Sequence, residues 1–349
     1  MATEELENFR AKNQKRAEAM MLLTLAETKL NHAERDAREE ACHLANQAKL
    51  AFSNLKDRKM EGESCLAHGN ALLKSGAARS NEQATEVFQQ AREIFRSLQS
   101  LALEGRALHG LACCSAAGGS FAGAVNEANQ ALSCFEQCRN ETLQLAVLEA
   151  ISGWYLESGE LLLARNFAEQ SLALGQQISC SPAREASCLR TLVRVYIQQG
   201  AASSVLGNCL DAVDRFRSMN AREAESIALC ALVECSIASQ DTLDRSLQAA
   251  TDACLAFREL GDAHQEMEMC CTMTRLCLEH QQFDQAEDHA RTALHLAKIV
   301  EDRLAQSEAL GLLAEVFLLK PDGAEKAVSL LNKEHLSCQD AGDELGEAL

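Results

Sequence analysis

Along this chain a small residue is followed four places later by a large apolar one, again and again. Ala48/Phe52, Ala91/Phe95, Ala131/Phe135, Ala212/Phe216 and Ala253/Phe257 are such pairs, and Leu174, Leu296 and Leu336 continue the series. Successive anchors are separated by 43, 40, 39, 42, 41, 39 and 40 residues. A short polar break follows each anchor, as at Arg139-Asn140, Met219-Asn220 and Gly261-Asp262. A second break falls midway, at Gly76, Gly118-Gly119, Gly159, Gly200 and His280-Gln281-Gln282. Helix, break and second helix make an antiparallel hairpin. The pattern predicts first helices near 8–31, 59–76, 101–117, 141–158, 182–199, 221–239, 263–280 and 302–319. Second helices are expected near 33–55, 80–98, 120–138, 160–178, 201–218, 241–260, 282–300 and 322–338.

Start signals agree with that register. Asn and Asp side chains accept from the free N–H groups of a first turn. Asn220 with Glu223, and Asp262 with Gln265, have capping-box spacing. Pro182 and Pro321 fall where helices begin, a position that tolerates proline. The expected architecture is an all-α, right-handed α-solenoid superhelix of about eight helix–turn–helix repeats. Residues 1–57 form a divergent first hairpin, and 58–340 form seven further repeats. Residues 341–349 read as the start of another repeat, so the C-terminal end is expected to be uncapped and open to self-association.

Composition strengthens the helical reading. The 349 residues contain only two prolines and 4% aromatics, and no stretch of alternating β-branched residues suggests a sheet. The formal net charge of −18 argues against nucleic acid and against an anionic membrane surface as partners. Residues 1–60 are near neutral, with 11 Lys/Arg against 10 Asp/Glu, so the acid lies in the rest. The polar N-terminus does not read as a signal peptide, and no apolar run reaches membrane-spanning length. A cytoplasmic protein is expected, with its 16 cysteines as free thiols.

Phe121-Ala122-Gly123-Ala124, with Ala128 and Ala131-Leu132, resembles the tetratricopeptide pattern. Phe283-Asp284-Gln285-Ala286, with Ala290 and Ala293-Leu294, repeats it. The period near 40 is similar to that of the long repeats of G-protein-signalling modulators and kinesin light chains. Gly69 fits the first-helix glycine of the family, whereas Ala112, Ser152, Val193 and Thr274 occupy the matching slots elsewhere. The resemblance implies a protein-binding solenoid whose first helices line a concave groove. Asn70 and Lys74 echo the carboxylate clamp of one chaperone-tail-binding subset, but repeats three and four lack its Asn.

Catalytic motifs are missing. There is no Gly-rich phosphate loop, His-Glu-x-x-His, EF-hand loop or Gly-x-Ser-x-Gly elbow, so no enzyme and no cofactor are expected. His109/Cys113 and Cys134/Cys138 have metal-ligand spacing on two helices, yet the pairs fall at different heights of the hairpin. Cysteine there, and in Cys270-Cys271-Cys277, reads as a small packing residue.

Counting from the hairpin register, the groove is expected to present Asn70, Lys74, Arg106, His109, Glu149, Glu157, Arg190, Arg194, Arg275 and Glu279, with Ala231, Cys235 and Ala238 from repeat six. The arginine fork suits carboxylates. One reading is a partner peptide carrying acidic and apolar residues, docked across repeats three to seven. The other is that Arg and Glu of successive first helices pair with one another. At the level of function, an interaction scaffold or adaptor leads. A structural or assembly subunit using its ends and convex face is the alternative.

Overall fold

The structure, a computed structural model, describes residues 6, 9, 11–30, 35–75, 79–240, 242–300, 303–320 and 323–340. Among them are sixteen α-helices and no strand. Two compact units divide the chain, Met1–Ile178 and Ser179–Leu349.

The first unit holds four hairpins: α1 (Lys15–Leu30) with α2 (Arg35–Asn54), α3 (Arg58–Ser75) with α4 (Ser80–Ser97), α5 (Leu101–Ala117) with α6 (Phe121–Gln137), and α7 (Glu141–Glu157) with α8 (Leu161–Gln177). The second unit holds α9 (Pro182–Gln198), α10 (Leu206–Ser218), α11 (Arg222–Ala238), α12 (Leu243–Leu260), α13 (Ala263–Glu279), α14 (Phe283–Val300), α15 (Arg303–Leu319) and α16 (Ala324–Asp340). Odd-numbered helices are the first helices of repeats one to eight. In the first unit each touches the next, whereas second helices pack chiefly on the first helices at either side. In the second unit the second helices α12 and α14 again pack on the first helices at either side, whereas α9 packs chiefly on α11.

The packing follows from the small-residue slots. Ala124, Ala128 and Ala131 on α6, and Ala286, Ala290 and Ala293 on α14, are fully buried. Alanine at a helix crossing lets two backbones approach, and the anchor fills the space beside them. Phe52, Phe95, Phe135 and Phe216 are the anchors, each 1% exposed or less. Burying a ring of that size contributes about 2–3 kcal/mol. In two repeats the anchor slot is one place later than the sequence suggests. Ser171 and Ala293 occupy the small-residue slot, so Gly175 and Ala297, both buried, stand where the other repeats carry Phe. Leu174 and Leu296 are neighbours of the slot. The side chain of Leu336 is outside what the structure describes.

Among the described residues, a single left-handed residue recurs at the turns. Lys56, Gln99, Arg139, Ser179, Asn220 and Gly261 follow second helices, each four places after the anchor. Gly119, Gly159, Gly200, Gln240 and Gln281 follow first helices. The next amide but one past the helix returns to the anchor's carbonyl, as in Ser100 N to Phe95 O at 3.0 Å and Asp262 N to Phe257 O at 3.0 Å. This geometry corrects one cap. Asn220 sits in the left-handed position itself (φ 53°), so Ala221 precedes α11 and no capping box forms with Glu223. Asp262 does cap α13, accepting from Gln265 N at 3.1 Å. Asn140 caps α7, accepting from Leu143 N at 3.2 Å. Pro182 opens α9 behind the Ser181 cap. Gly76, Pro321 and residues 341–349 lie outside the described residues.

A polar slot recurs in every repeat. The fourth residue of each first helix is Glu18, Glu61, Glu104, Gln144, Glu185, Glu225, Glu266 or Gln306. Several of these reach back to the preceding second helix. Arg96 donates to Glu104 at 3.1 Å, Arg217 to Glu225 at 2.8 Å and Arg258 to Glu266 at 2.6 Å, each arginine standing directly after its anchor Phe. Where the slot is glutamine, the amide donates to the anchor's own carbonyl: Gln144 to Phe135 O at 3.2 Å, Gln306 to Ala297 O at 3.3 Å. Glu185 instead takes Arg215 of its own repeat at 2.8 Å.

Repeat five departs from the expected hairpin. Its second helix does not begin at 201. A 3-10 turn at Ala202–Ser204 comes first, and α10 is only thirteen residues long. The turn is fixed from repeat six, where Cys235 Sγ donates to Ala202 O at 3.1 Å. The consequence is that α9 packs extensively on α11, first helix directly on first helix.

The α14–α15 hairpin edge carries a pH-sensitive clamp. Lys320 Nζ bonds Asp284 at 2.8 Å and Glu287 at 2.6 Å, and Arg291 bonds Glu287 at 2.6 Å. Hydrogen bonds from Lys320 and then Arg291 hold the Glu287 carboxyl below its ordinary value of 4.5. A depressed carboxylate stabilises the fold above its unfolded pKa and ceases to do so as pH falls through the folded one. Glu287→Gln is therefore expected to flatten the fall in melting temperature between about pH 5 and pH 3. Parallel slopes for the two proteins would contradict this.

Candidate functional site

The first helices present one common face. Counting from the Glu/Gln slot, residues two, five, nine, twelve and thirteen places on fall within a stripe about 100° wide at 3.6 residues per turn. The expected groove residues occupy these places. Asn70, Lys74 and Arg106 are exposed, and His109 and Glu149 are half-buried. Glu157, Arg194, Arg275 and Glu279 are exposed, and Arg190 is half-buried. Repeat six is the exception: Ala238 keeps its place and is exposed, but Ala231 and Cys235 slip by one. Ala231 and Cys235 are fully buried, and Cys230, Glu234 and Ile237 hold the matching places.

That slip concealed the partner of two arginines. Arg190 donates two hydrogen bonds to Glu234, at 3.0 and 2.7 Å, and Arg194 lies 3.6 Å from the same carboxylate. Burial opposes the charge of Arg190, but the charge and hydrogen bonds of Glu234 raise its pKa overall. The bond forms because α9 and α11 pack side by side. Further along, Arg275 pairs with Glu308 of α15. Within the second unit, α9 is thus joined to α11 and α13 to α15 by Arg–Glu pairs on this face. In the first unit, Lys74 and Arg106 form no ion pair among the described residues.

Twelve places after the polar slot the residue is aliphatic in every repeat. The row reads Leu30, Leu73, Ala116 and Leu156 in the first unit, and Ile197, Ile237, Leu278 and Leu318 in the second. None of the eight is fully buried; Ile237 is 37% and Leu318 61% exposed. Leu73, Ala116 and Leu278 touch the edges of the hydrophobic cores, yet the same place in each repeat keeps an aliphatic side chain that the core does not fully cover. Only when the repeats are aligned on the Glu/Gln slot does the agreement of these eight positions become visible in the sequence.

The histidine and cysteine pairs behave differently. His109 Nε2 lies 3.9 Å from Cys113 Sγ on α5. Cys113, Cys134 and Cys138 pack at the edge of the cluster around Phe135 and Ile151. Burial pushes the Cys113 thiol up to about 11, as it does Cys65 and Cys230. A raised thiol pKa leaves little thiolate, the reactive form. Among the described residues no group of three His, Cys, Asp or Glu converges on a metal-sized site, and no helix is long and apolar enough to cross a membrane.

No protein-family model matches the chain, and no curated protein matches its sequence. Solved structures do resemble it. Aspartyl phosphate phosphatase F from Bacillus subtilis has a TM-score of 0.59 at 13% identity, with 95% of this chain and 85% of that one covered. A Rap protein complexed with Competence and Sporulation Factor gives 0.54 at 15%, covering 99% and 95%. A STAND-type signal transduction ATPase with a tetratricopeptide repeat sensor, from Pyrococcus horikoshii, gives 0.55 at 12%. That match covers 91% of this chain and 48% of the ATPase, so the chain spans about half of the larger protein's length. At such identities the likeness speaks to fold alone: the chain is an all-α solenoid of tetratricopeptide-like repeats.

Proposed function

We propose that the protein is a non-enzymatic interaction scaffold of the cytoplasm, and that the inner face of its first helices takes a partner peptide or helix. The observation that carries this reading is the half-exposed aliphatic row on that face. Burial of apolar surface is the dominant favourable contribution to most protein association, and within each unit this row offers one aliphatic contact per repeat. A Rap protein of similar fold is complexed with Competence and Sporulation Factor, which supports a partner-binding role for a solenoid of this kind.

Charge refines where the partner sits. An acidic partner would need free guanidinium groups, and Arg190, Arg194 and Arg275 are engaged by Glu234 and Glu308. Lys74 follows Leu73 at the end of α3, and Arg106 lies near the start of α5, both exposed. A segment with acidic residues beside apolar ones fits there, while the second unit offers an aliphatic row beside neutralised charge.

Affinity capture from lysate, read by mass spectrometry, tests the proposal. Lys74→Glu with Arg106→Glu is expected to lose partners that the unaltered chain retains, with unchanged helical circular dichroism. Equal recovery by both proteins would count against this face as the binding surface.

A further inference from the structure

Three sulfurs meet between α12 and α13. Cys254 Sγ lies 4.0 Å from Cys270 Sγ and 3.9 Å from Met273 Sδ. Cys270 and Met273 are three residues apart on α13 and so share one face of that helix. All three side chains are buried, at 8%, 4% and 5% exposure.

The other repeats show what these positions ordinarily hold. The place of Cys254, three before the anchor, is Leu132, Leu172, Val213 or Leu294 in repeats three, four, five and seven. The place of Cys270 is Leu108, Leu148, Leu189, Leu229 or Leu310, and that of Met273 is Leu111, Ile151, Leu192, Leu232 or Leu313. These are three aliphatic contacts of an ordinary hairpin junction. At this junction alone, all three are sulfur at once.

The spacing matches a particular kind of ligand set. A filled-shell first-row metal bonds sulfur at about 2.3 Å, so three sulfurs around it in a plane stand about 4 Å apart. Two sides of that triangle are already present. We propose that Cys254, Cys270 and Met273 form a three-sulfur site for a soft monovalent cation, Cu(I). Thiolate and thioether donors select Cu(I), whereas structural zinc takes four ligands in a tetrahedron. No His, Asp or Glu side chain joins a group of three with these sulfurs among the described residues. A thioether carries no charge to offset a divalent ion. On binding, each thiol transfers its proton to the buffer as its sulfur bonds the metal. The copper arrives and remains as Cu(I), so no electron moves.

The full chain, reduced and kept anaerobic, would be titrated with Cu(I) and ascorbate against a coloured Cu(I) chelator. The expected result is one equivalent withheld from the chelator, with X-ray absorption showing three sulfurs at about 2.3 Å. Cys254→Val with Cys270→Leu and Met273→Leu restores the residues used at other junctions, so the helical signal and melting are expected to persist while the withheld equivalent disappears. Met273→Leu alone is expected to leave two-sulfur coordination and at least about tenfold weaker retention. The proposal is overturned if the unaltered chain yields all of its copper to the chelator. It is overturned equally if the triple variant withholds the same equivalent, which would place the copper on other thiols.

Discussion

Gly110→Ala is expected to destabilise the protein by about 1–3 kcal/mol, and to become neutral or stabilising once Phe88 is alanine. The reason lies in one exchanged residue. Seven places before the anchor, other repeats carry Ala45, Ala128, Ala168, Ala250 and Ala290, but repeat two carries Phe88. The ring is 1% exposed, and it is wedged between two first helices. A Cβ on Gly69 would stand 2.6 Å from it, and one on Gly110 would collide with it from the other side. In a free helix interior, glycine to alanine gains about 1 kcal/mol. Here overpacking reverses the sign, because the ring has helix backbone on both sides and no room to withdraw. Phe88→Ala alone should cost about 3–5 kcal/mol through the cavity it leaves. Adding Gly69→Ala and Gly110→Ala fills part of that cavity and recreates the alanine junction of neighbouring repeats. Urea denaturation of the single, double and triple variants reads out the cycle. If Gly110→Ala costs the same with and without the Phe88 ring, the wedge is not what requires the glycine.

The second large effect concerns the polar latch. Glu266 is 4% exposed and takes two bonds from Arg258, at 2.9 and 2.6 Å. Arg258→Met removes those donors and strands a buried carboxylate, at an expected cost of about 2–4 kcal/mol. Glu266→Gln in the same background should recover most of the loss. Gln144 and Gln306 show how: in the same slot, the amide donates to the anchor's carbonyl and needs no arginine. Denaturation midpoints of the two proteins decide the matter. A double variant as unstable as Arg258→Met would mean that the arginine acts through packing rather than through the carboxylate.

Much of this fold is readable from the chain, for a physical reason. The hairpin period is set by recurring small residues, and helix ends by residues that tolerate the left-handed turn or cap the next helix. Both are local. The misplacements are local too, and each is a single residue. The size of Leu174 and Leu296 points to them as anchors, whereas the slot tolerates Gly175 and Ala297. Asn220 was read as a cap, although asparagine serves equally in the left-handed position that closes the preceding helix. The same one-residue ambiguity rotated the face of repeat six by about 100° and hid Glu234. The missing ruler was the Glu/Gln at the fourth residue of each first helix. Aligning on it puts every repeat in register, including repeat five with its extra loop residue before Pro182. The choice between free and paired arginines was not local. It depends on how closely α9 approaches α11, which the short α10 determines.

The latch also shows where such an array can be cut. Its two halves belong to different hairpins: the arginine or the anchor's carbonyl closes one repeat, and the Glu or Gln opens the next. A segment duplicated from the start of one first helix to the end of its second helix would bring together halves that did not arise as neighbours. In the worst case a buried glutamate would face a junction without its arginine. Cuts made in the mid-hairpin turns at Gly119 or Gly159 keep the neighbouring latches intact within the piece moved, whereas a cut at Gly200 would part Glu185 from Arg215. The natural cassette of this solenoid is therefore a second helix and the first helix that follows it, and insertions or deletions built on that frame should preserve every latch described here except the Glu185–Arg215 pair of repeat five.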